Sequence, residues 1–129
     1  MPKEKTHILV VDDEPVARAM ISYILKKHHY EVTEAESGPQ ALEILQNTPS
    51  ISLVMLDRMM PEMSGLDVLE KMRALPQLQH IPVIMLTGHA ERDHVKTATI
   101  YGAFDVIYKP VEEILLTKLI ERALRSRGR

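Results

Sequence analysis

The chain has 129 residues, 45% hydrophobic and 26% charged, the composition of one globular domain and not of a disordered segment. Sixteen Lys+Arg against 18 Asp+Glu leave a net charge of -2, which excludes the broad basic field of a dedicated nucleic-acid binder. With no cysteine, disulfides, thiolate catalysis, zinc knuckles and iron–sulfur clusters are excluded together.

The start, Met1-Pro2-Lys3-Glu4-Lys5, is charged and has no apolar leader core, so the expected location is the cytoplasm. No apolar run approaches the roughly 20 residues that span a bilayer. Residues 7–11 predict a buried strand ending in acid. Helical spacing follows over 15–28 in two stripes, Val16, Met20, Ile24 and Ala17, Ile21, Leu25. Residues 31–35 alternate polar with small or apolar side chains, as an edge strand does. Ser37 is placed to cap a helix, with Gln40 completing a capping box and Ala41, Leu42 and Leu45 facing inward. Residues 51–56 predict a continuous apolar strand, and Ser64 caps a helix carrying Leu66, Leu69 and Met72 inward. A further buried run covers 81–86, with Pro82 tolerable near its start. Residues 91–101 predict a weaker helix through Val95 and Ala98, stopped at Gly102. Residues 103–108 predict a fifth strand. The last helix spans 111–124, with Leu115, Leu116, Leu119, Ile120 and Ala123 on its apolar face.

Five strands alternating with five helices imply right-handed crossovers and a parallel sheet covered on both faces. The expectation is an α/β, doubly wound, flavodoxin-like sheet of order 2-1-3-4-5, with the alternating strand around Val32 at an edge. It occupies residues 6–125, between tails 1–5 and 126–129. Such sheets bind ligands beyond the carboxyl ends of their strands.

Those ends are where the chemistry gathers. The first strand is followed by Asp12-Asp13-Glu14, the third ends in Asp57, the fourth in Thr87-Gly88 and the fifth in Lys109-Pro110. Taken singly, an Asp in such a turn is usually a cap, and a strand-terminal Thr or Lys has a bland role. Together they converge on one edge. Clustered carboxylates require a proton or a cation between them, and an all-oxygen set with open positions suits magnesium. Lys109 adds a point charge suited to phosphate and Thr87 a hydroxyl donor, which is equipment for phosphoryl transfer with Asp57 as nucleophile.

The stretches Val10-Val11-Asp12-Asp13-Glu14-Pro15, Leu56-Asp57-Arg58-Met59-Met60-Pro61-Glu62-Met63-Ser64-Gly65, Leu86-Thr87-Gly88, Gly102-Ala103 and Lys109-Pro110 resemble receiver domains of two-component response regulators, of the chemotaxis-regulator kind. The resemblance covers residues 6–125. It implies that Asp57 accepts a phosphoryl group from a phosphohistidine on a sensor histidine kinase or histidine phosphotransfer protein. The domain then catalyses its own phosphorylation and slow dephosphorylation and is not a metabolic enzyme. It implies Mg2+, with Mn2+ as a substitute, bound directly by Asp13, Asp57 and the Met59 carbonyl and through water by Asp12. Thr87, Lys109 and the amides of Met59 and Gly88 contact the phosphoryl group, and the Lys109–Pro110 peptide is expected to be cis. The implied reader is a downstream protein or output domain, with no direct contact to nucleic acid or membrane. A homodimer through the final helix is compatible with the family.

One position departs from the pattern. Three residues before the lysine many receivers carry Tyr or Phe as a rotamer switch; here Val106 has one stiff torsion and no ring. Tyr101, Phe104 or Tyr108 is the expected substitute. Met59 and His89, each two residues beyond a site residue, are expected to set a moderately slow phosphoryl lifetime.

Two rival readings use the same edge. A small-molecule phosphatase forming an aspartyl phosphate would resemble haloacid dehalogenases, which want Asp-x-Asp after the first strand and a covering cap. A flavodoxin-like electron carrier wants a Ser/Thr/Gly-rich phosphate loop where Asp12-Asp13-Glu14 stand. His28-His29 reads as a solvated helix end, because adjacent side chains on a helix point apart.

Overall fold

A computed structural model describes residues 5–88, 99 and 101–127. In chain order the elements are β1 (His7–Val11), α1 (Pro15–Lys27), β2 (Glu31–Ala35), α2 (Gly38–Asn47), β3 (Ile51–Asp57), α3 (Gly65–Ala74), β4 (Val83–Gly88), β5 (Asp105–Lys109) and α4 (Glu113–Arg127). The helix expected over 91–101 lies outside the described residues apart from Thr99 and Tyr101, as does His89. The strands pair in parallel in the order β2-β1-β3-β4-β5, the expected doubly wound arrangement. β4 begins two residues later than its apolar run, because Pro82 has no N–H to enter a ladder; its carbonyl still accepts from Val54 N at 3.1 Å.

The helix starts follow their local chemistry. Pro15 opens α1 in the first turn, where a missing N–H costs nothing. Ser37 Oγ accepts from Gln40 N at 3.2 Å, but Gln40 Oε1 accepts from Glu36 N, one residue before the cap, so the expected box is displaced. At α3 the box closes: Ser64 Oγ accepts from Asp67 N at 3.2 Å and Asp67 Oδ2 from Ser64 N at 3.0 Å. Beyond the end of α1 at Lys27, His29 takes a left-handed conformation (φ 70°), with Tyr30 N donating back to the Leu25 carbonyl. His28 and Lys27 there pair with Glu113 at 2.8 and 2.9 Å, so the two histidines are a helix end as expected.

Alternation along each strand builds two core layers. Leu9, Val11, Val54, Leu56, Val83 and Met85 pack against α2 and α3 through Ala41, Leu45, Val68, Leu69 and Met72. Ile8, Val10, Leu53, Met55, Ile84, Leu86 and Ile107 pack against α1 and α4 through Ile21, Leu25, Leu116, Leu119, Ile120 and Ala123. Burying each such Leu, Ile or Met contributes roughly 1.5–3 kcal/mol. Leu115 departs from its expected inward place and is 45% exposed, because the buried set Leu116, Leu119, Ile120 and Ala123 centres the core face near Leu116 and Leu115 stands roughly 100° round the helix from it. Of the two α1 stripes, that of Ala17, Ile21 and Leu25 faces the sheet; in the other, Ile24 packs partly against the same layer while Val16 and Met20 are open to solvent.

Candidate functional site

The same alternation aims the site residues. Asp57 continues the set Leu53–Met55, Asp12 the set Ile8–Val10 and Lys109 follows Ile107, so all three leave their strands on the α1/α4 side. Thr87 continues Val83–Met85 on the opposite side. β5 lies two strands from β3, about 10 Å in the hydrogen-bonding direction, and the long stem of Lys109 closes that gap.

The result is a compact acid pocket. One carboxylate oxygen from each of Asp12, Asp13 and Asp57 lies within 4.8 Å of the others. Lys109 Nζ stands 2.9 Å from Asp12 Oδ2 and 3.1 Å from Asp57 Oδ1, with Glu14 Oε1 farther out at 3.8 Å. Asp12 is fully buried and Asp57 lies on the pocket floor with 6% of its side chain exposed, while Asp13 is half-buried. Asp12 is also the turn former that such a residue usually is: its Oδ1 accepts from Glu14 N at 3.0 Å, leaving Oδ2 for the lysine.

Burial pushes the Asp57 carboxyl up to about 7, and the neighbouring Asp12 charge adds to it, while Lys109 pulls the other way. Burial draws the Lys109 ammonium down, but the Asp12 and Asp57 carboxylates outweigh it and hold Lys109 above its usual value. A single lysine thus leaves the acid cluster undercompensated. A cation with oxygen ligands fits this donor set: three carboxylates, no nitrogen or sulfur, and a floor shielded from water.

Thr87 is buried at the edge, and Gly88 beside it is exposed, with open space where a side chain would stand. Met59 is 67% exposed, whereas Met60 packs into the α2/α3 layer and Met63 lies against it. The Lys109–Pro110 peptide is cis, as expected. Val106 is half-buried against the α2/α3 layer. Tyr108 is the register partner of Thr87, while Tyr101, Phe104 and Tyr108 are each about 40% exposed. Arg18 carries no motif of its own, yet it also reaches the acid turn; its sequence signal is only its place one helical turn after Glu14.

A family model described as response regulator receiver domain matches residues 8–121. The two-component response regulator ORR5 of Oryza sativa subsp. japonica is 37% identical over 119 residues, covering 92% of this chain and 89% of that protein. A response regulator receiver domain protein from Clostridium thermocellum superposes with a TM-score of 0.89 at 34% identity, covering 95% of this chain and 97% of that one. The Vibrio cholerae chemotaxis protein CheY4 superposes with a TM-score of 0.87 at 29% identity, covering 94% of this chain and all (100%) of that one.

Proposed function

The chain belongs to the response regulator receiver domain family, and from that membership we propose that Asp57 is its phosphoacceptor, served by Asp12, Asp13, Thr87 and Lys109. As a receiver domain of two-component response regulators it works in phosphorelay signalling and is not a metabolic enzyme. Its partner is a histidine kinase or a phosphotransfer protein. The observation that carries the residue assignment is Lys109 Nζ at 3.1 Å from Asp57 within a pocket of three carboxylates.

An Asp57 carboxylate oxygen attacks the phosphorus of the phosphohistidine. The P–O bond forms as the P–N bond breaks, and the imidazole leaves with a proton taken from solvent. Asp13, Asp57 and the Met59 carbonyl would hold Mg2+ or Mn2+ directly, and Asp12 through water. Bound there, the ion offsets the repulsion between carboxylates and phosphoryl oxygens. Once phosphorylated, Asp57 no longer competes for Lys109, whose ammonium pairs with a phosphoryl oxygen instead. Thr87 Oγ and the amides of Met59 and Gly88 donate to the remaining oxygens.

Release is hydrolysis: water attacks phosphorus, the bond from phosphorus to the Asp57 oxygen breaks, inorganic phosphate leaves and the Asp57 carboxylate is restored. Met59, exposed two residues beyond the acceptor, offers an attacking water only a weak acceptor, which leaves the water poorly oriented and the decay moderately slow. His89, outside the described residues, is assigned the same role by position alone. Tyr108 takes the part of the ring missing at 106, since it pairs in register with Thr87.

The donor seats on α1. Pro15, Val16, Ala19, Met20, Tyr23 and Ile24 line an apolar depression of about 470 Å³, and a smaller one beside it is shared by Met20, Ile24 and Lys109 itself. That continuity from apolar face to the pocket lysine suits a helix that presents phosphohistidine to Asp57. No helix among the described residues is long and apolar enough to cross a membrane; the cytoplasm, where kinases of this class present phosphohistidine, is the proposed location.

The test is incubation with acetyl phosphate and Mg2+, followed by intact-mass analysis. The expected product carries one hydroxylamine-sensitive phosphoryl group, lost in Asp57→Asn. An adduct that persists in Asp57→Asn, or rapid multiple turnover of the donor, would overturn the assignment and favour the phosphatase reading.

A further inference from the structure

The acid turn is gripped from behind by a residue that takes no part in the pocket. Arg18 is set in the first turn of α1, its N–H donating to the Glu14 carbonyl at 3.0 Å. Its guanidinium uses two arms. Nη1 donates to the Asp12 carbonyl oxygen at 2.8 Å, and Nε donates to Glu34 Oε1 at 2.9 Å. Arg18 is 16% exposed and Glu34 37%, so the fork is largely held on the protein and its outer partner is the more open to water. β2 supplies a second grip one residue along, where Asp12 N donates to the Ala35 carbonyl at 3.1 Å.

We infer that Arg18 is a positioning residue for the cation site, acting through the Asp12 main chain, and that Glu34 holds Arg18 in place. This rests on the reading of Asp12, Asp13 and Asp57 as the cation-binding set. Asp12 and Asp13 are consecutive, so a rotation of the peptide between them swings one carboxylate away from Asp57. The Asp12 carbonyl belongs to that peptide. A charged donor at 2.8 Å, anchored by a second bond to β2, fixes its plane. The carboxylates are thus aimed before any ion arrives, and the ordering cost is not charged to binding.

Two effects of Arg18 oppose each other, which makes the inference decidable by sign. A guanidinium near a cation site repels the cation, so a purely electrostatic Arg18 weakens binding and its removal tightens it. A positioning Arg18 strengthens binding and its removal weakens it. Arg18→Lys separates the two further, since it keeps the charge and loses the fork.

The experiment is Mn2+ binding by electron paramagnetic resonance on the full chain without any phosphodonor, with thermal unfolding of each metal-free variant as the fold control. For Arg18→Lys the expected result is affinity reduced about tenfold, the low end of the loss seen when a ligand's supporting partner is removed. Glu34→Gln, at an exposed edge-strand position, is expected to weaken binding in wild type and to add nothing in the Arg18→Lys background. Unchanged or tighter Mn2+ binding in Arg18→Lys overturns the inference, as does full additivity of the two substitutions. If Arg18→Lys fails to fold, Glu34→Gln alone decides, with unchanged affinity counting against it. Wild-type protein that binds no Mn2+ overturns the cation site itself, and the inference with it.

Discussion

Lys109 divides its ammonium between two carboxylates, 2.9 Å from Asp12 and 3.1 Å from Asp57, although 97 residues separate it from the first in sequence. Among the described residues it is the cation nearest the cluster, so removing it leaves buried charge without a partner. Lys109→Met is expected to lower metal-free stability at pH 8 by roughly 2–3 kcal/mol, below the cost at a fully buried pair. Saturating Mg2+ should recover most of that loss. Urea unfolding with and without Mg2+ checks it; an unchanged midpoint would mean the acids are relieved in some other way.

The elevated Asp57 carboxyl makes a signed pH prediction. Its value rises from 3.8 to about 7 on folding, so across that window the folded metal-free chain binds more protons than the unfolded one. This contribution to stability is full below 3.8 and is lost as pH rises through about 7. Protons and metal compete for the same oxygens, so Mn2+ affinity should climb with pH up to about 7 and then level off. Asp57→Asn should flatten the stability slope and stabilise the metal-free chain by roughly 1–2 kcal/mol at pH 8. Calorimetric unfolding from pH 5 to 8 reads both effects; parallel slopes for the two proteins would contradict the assignment.

Gly65 is required by close approach, not by an unusual φ. A Cβ there would press on the Asp57 carbonyl oxygen and stand 2.9 Å from Arg58 Cα, both backbone. Gly65 N also donates to the Arg58 carbonyl at 2.8 Å, tying α3 to the residue after the acceptor. Gly65→Ala must therefore shift the acceptor strand end. The expected cost is roughly 2–3 kcal/mol of stability, together with a clear loss of phosphorylation by acetyl phosphate. Gly88→Ala, with open space around it, serves as the tolerated control.

The exposed face of α1 separates small donors from protein donors. Met20 is 60% exposed and lies beside Lys109 in the same apolar groove. Met20→Glu should change stability by no more than about 0.5 kcal/mol. It should leave phosphorylation by acetyl phosphate intact and slow transfer from a phosphohistidine protein at least about tenfold, the weight of one well-buried contact. Equal slowing with both donors would place the defect in the pocket and not in docking.

Tyr108 faces the same layer as Thr87 and pairs with it across β4 and β5. If Thr87 moves toward a phosphoryl group, Tyr108 is the ring that loses or gains room. Tyr108→Ala should leave phosphorylation intact and abolish the chemical-shift changes that phosphorylation causes along β5. Nuclear magnetic resonance spectra of the two forms decide this; unchanged shifts at Tyr108 in the wild type would end its candidacy.

Much of this was legible in the residues because strand periodicity is a strong signal. The apolar runs through Ile8, Leu53 and Ile84 name the central strands, and the sheet's handed connections then order them. The same rule brings Asp12, Asp57, Thr87 and Lys109 to one edge without any knowledge of their contacts. What remained hidden is of another kind. Two apolar stripes on α1 look alike in sequence, and only packing tells that Ile21 is covered while Met20 is open. Leu115 reads as part of an apolar face, yet it stands at the flank of the set that packing covers. Arg18 contributes through a main-chain carbonyl and a partner 16 residues away, which no local pattern announces.

The side-chain alternation that sends Asp12, Asp57 and Lys109 one way and Thr87 with Tyr108 the other has an architectural corollary. On the proposed roles, the sheet is a single-residue-thick partition with the acid cluster and its lysine on one surface, and Thr87 carries the signal across the edge to Tyr108 on the reverse. Substitutions on the listening surface can retune the reply without disturbing the walls where charge is received, so one scaffold can be matched to new recipients while keeping its donor.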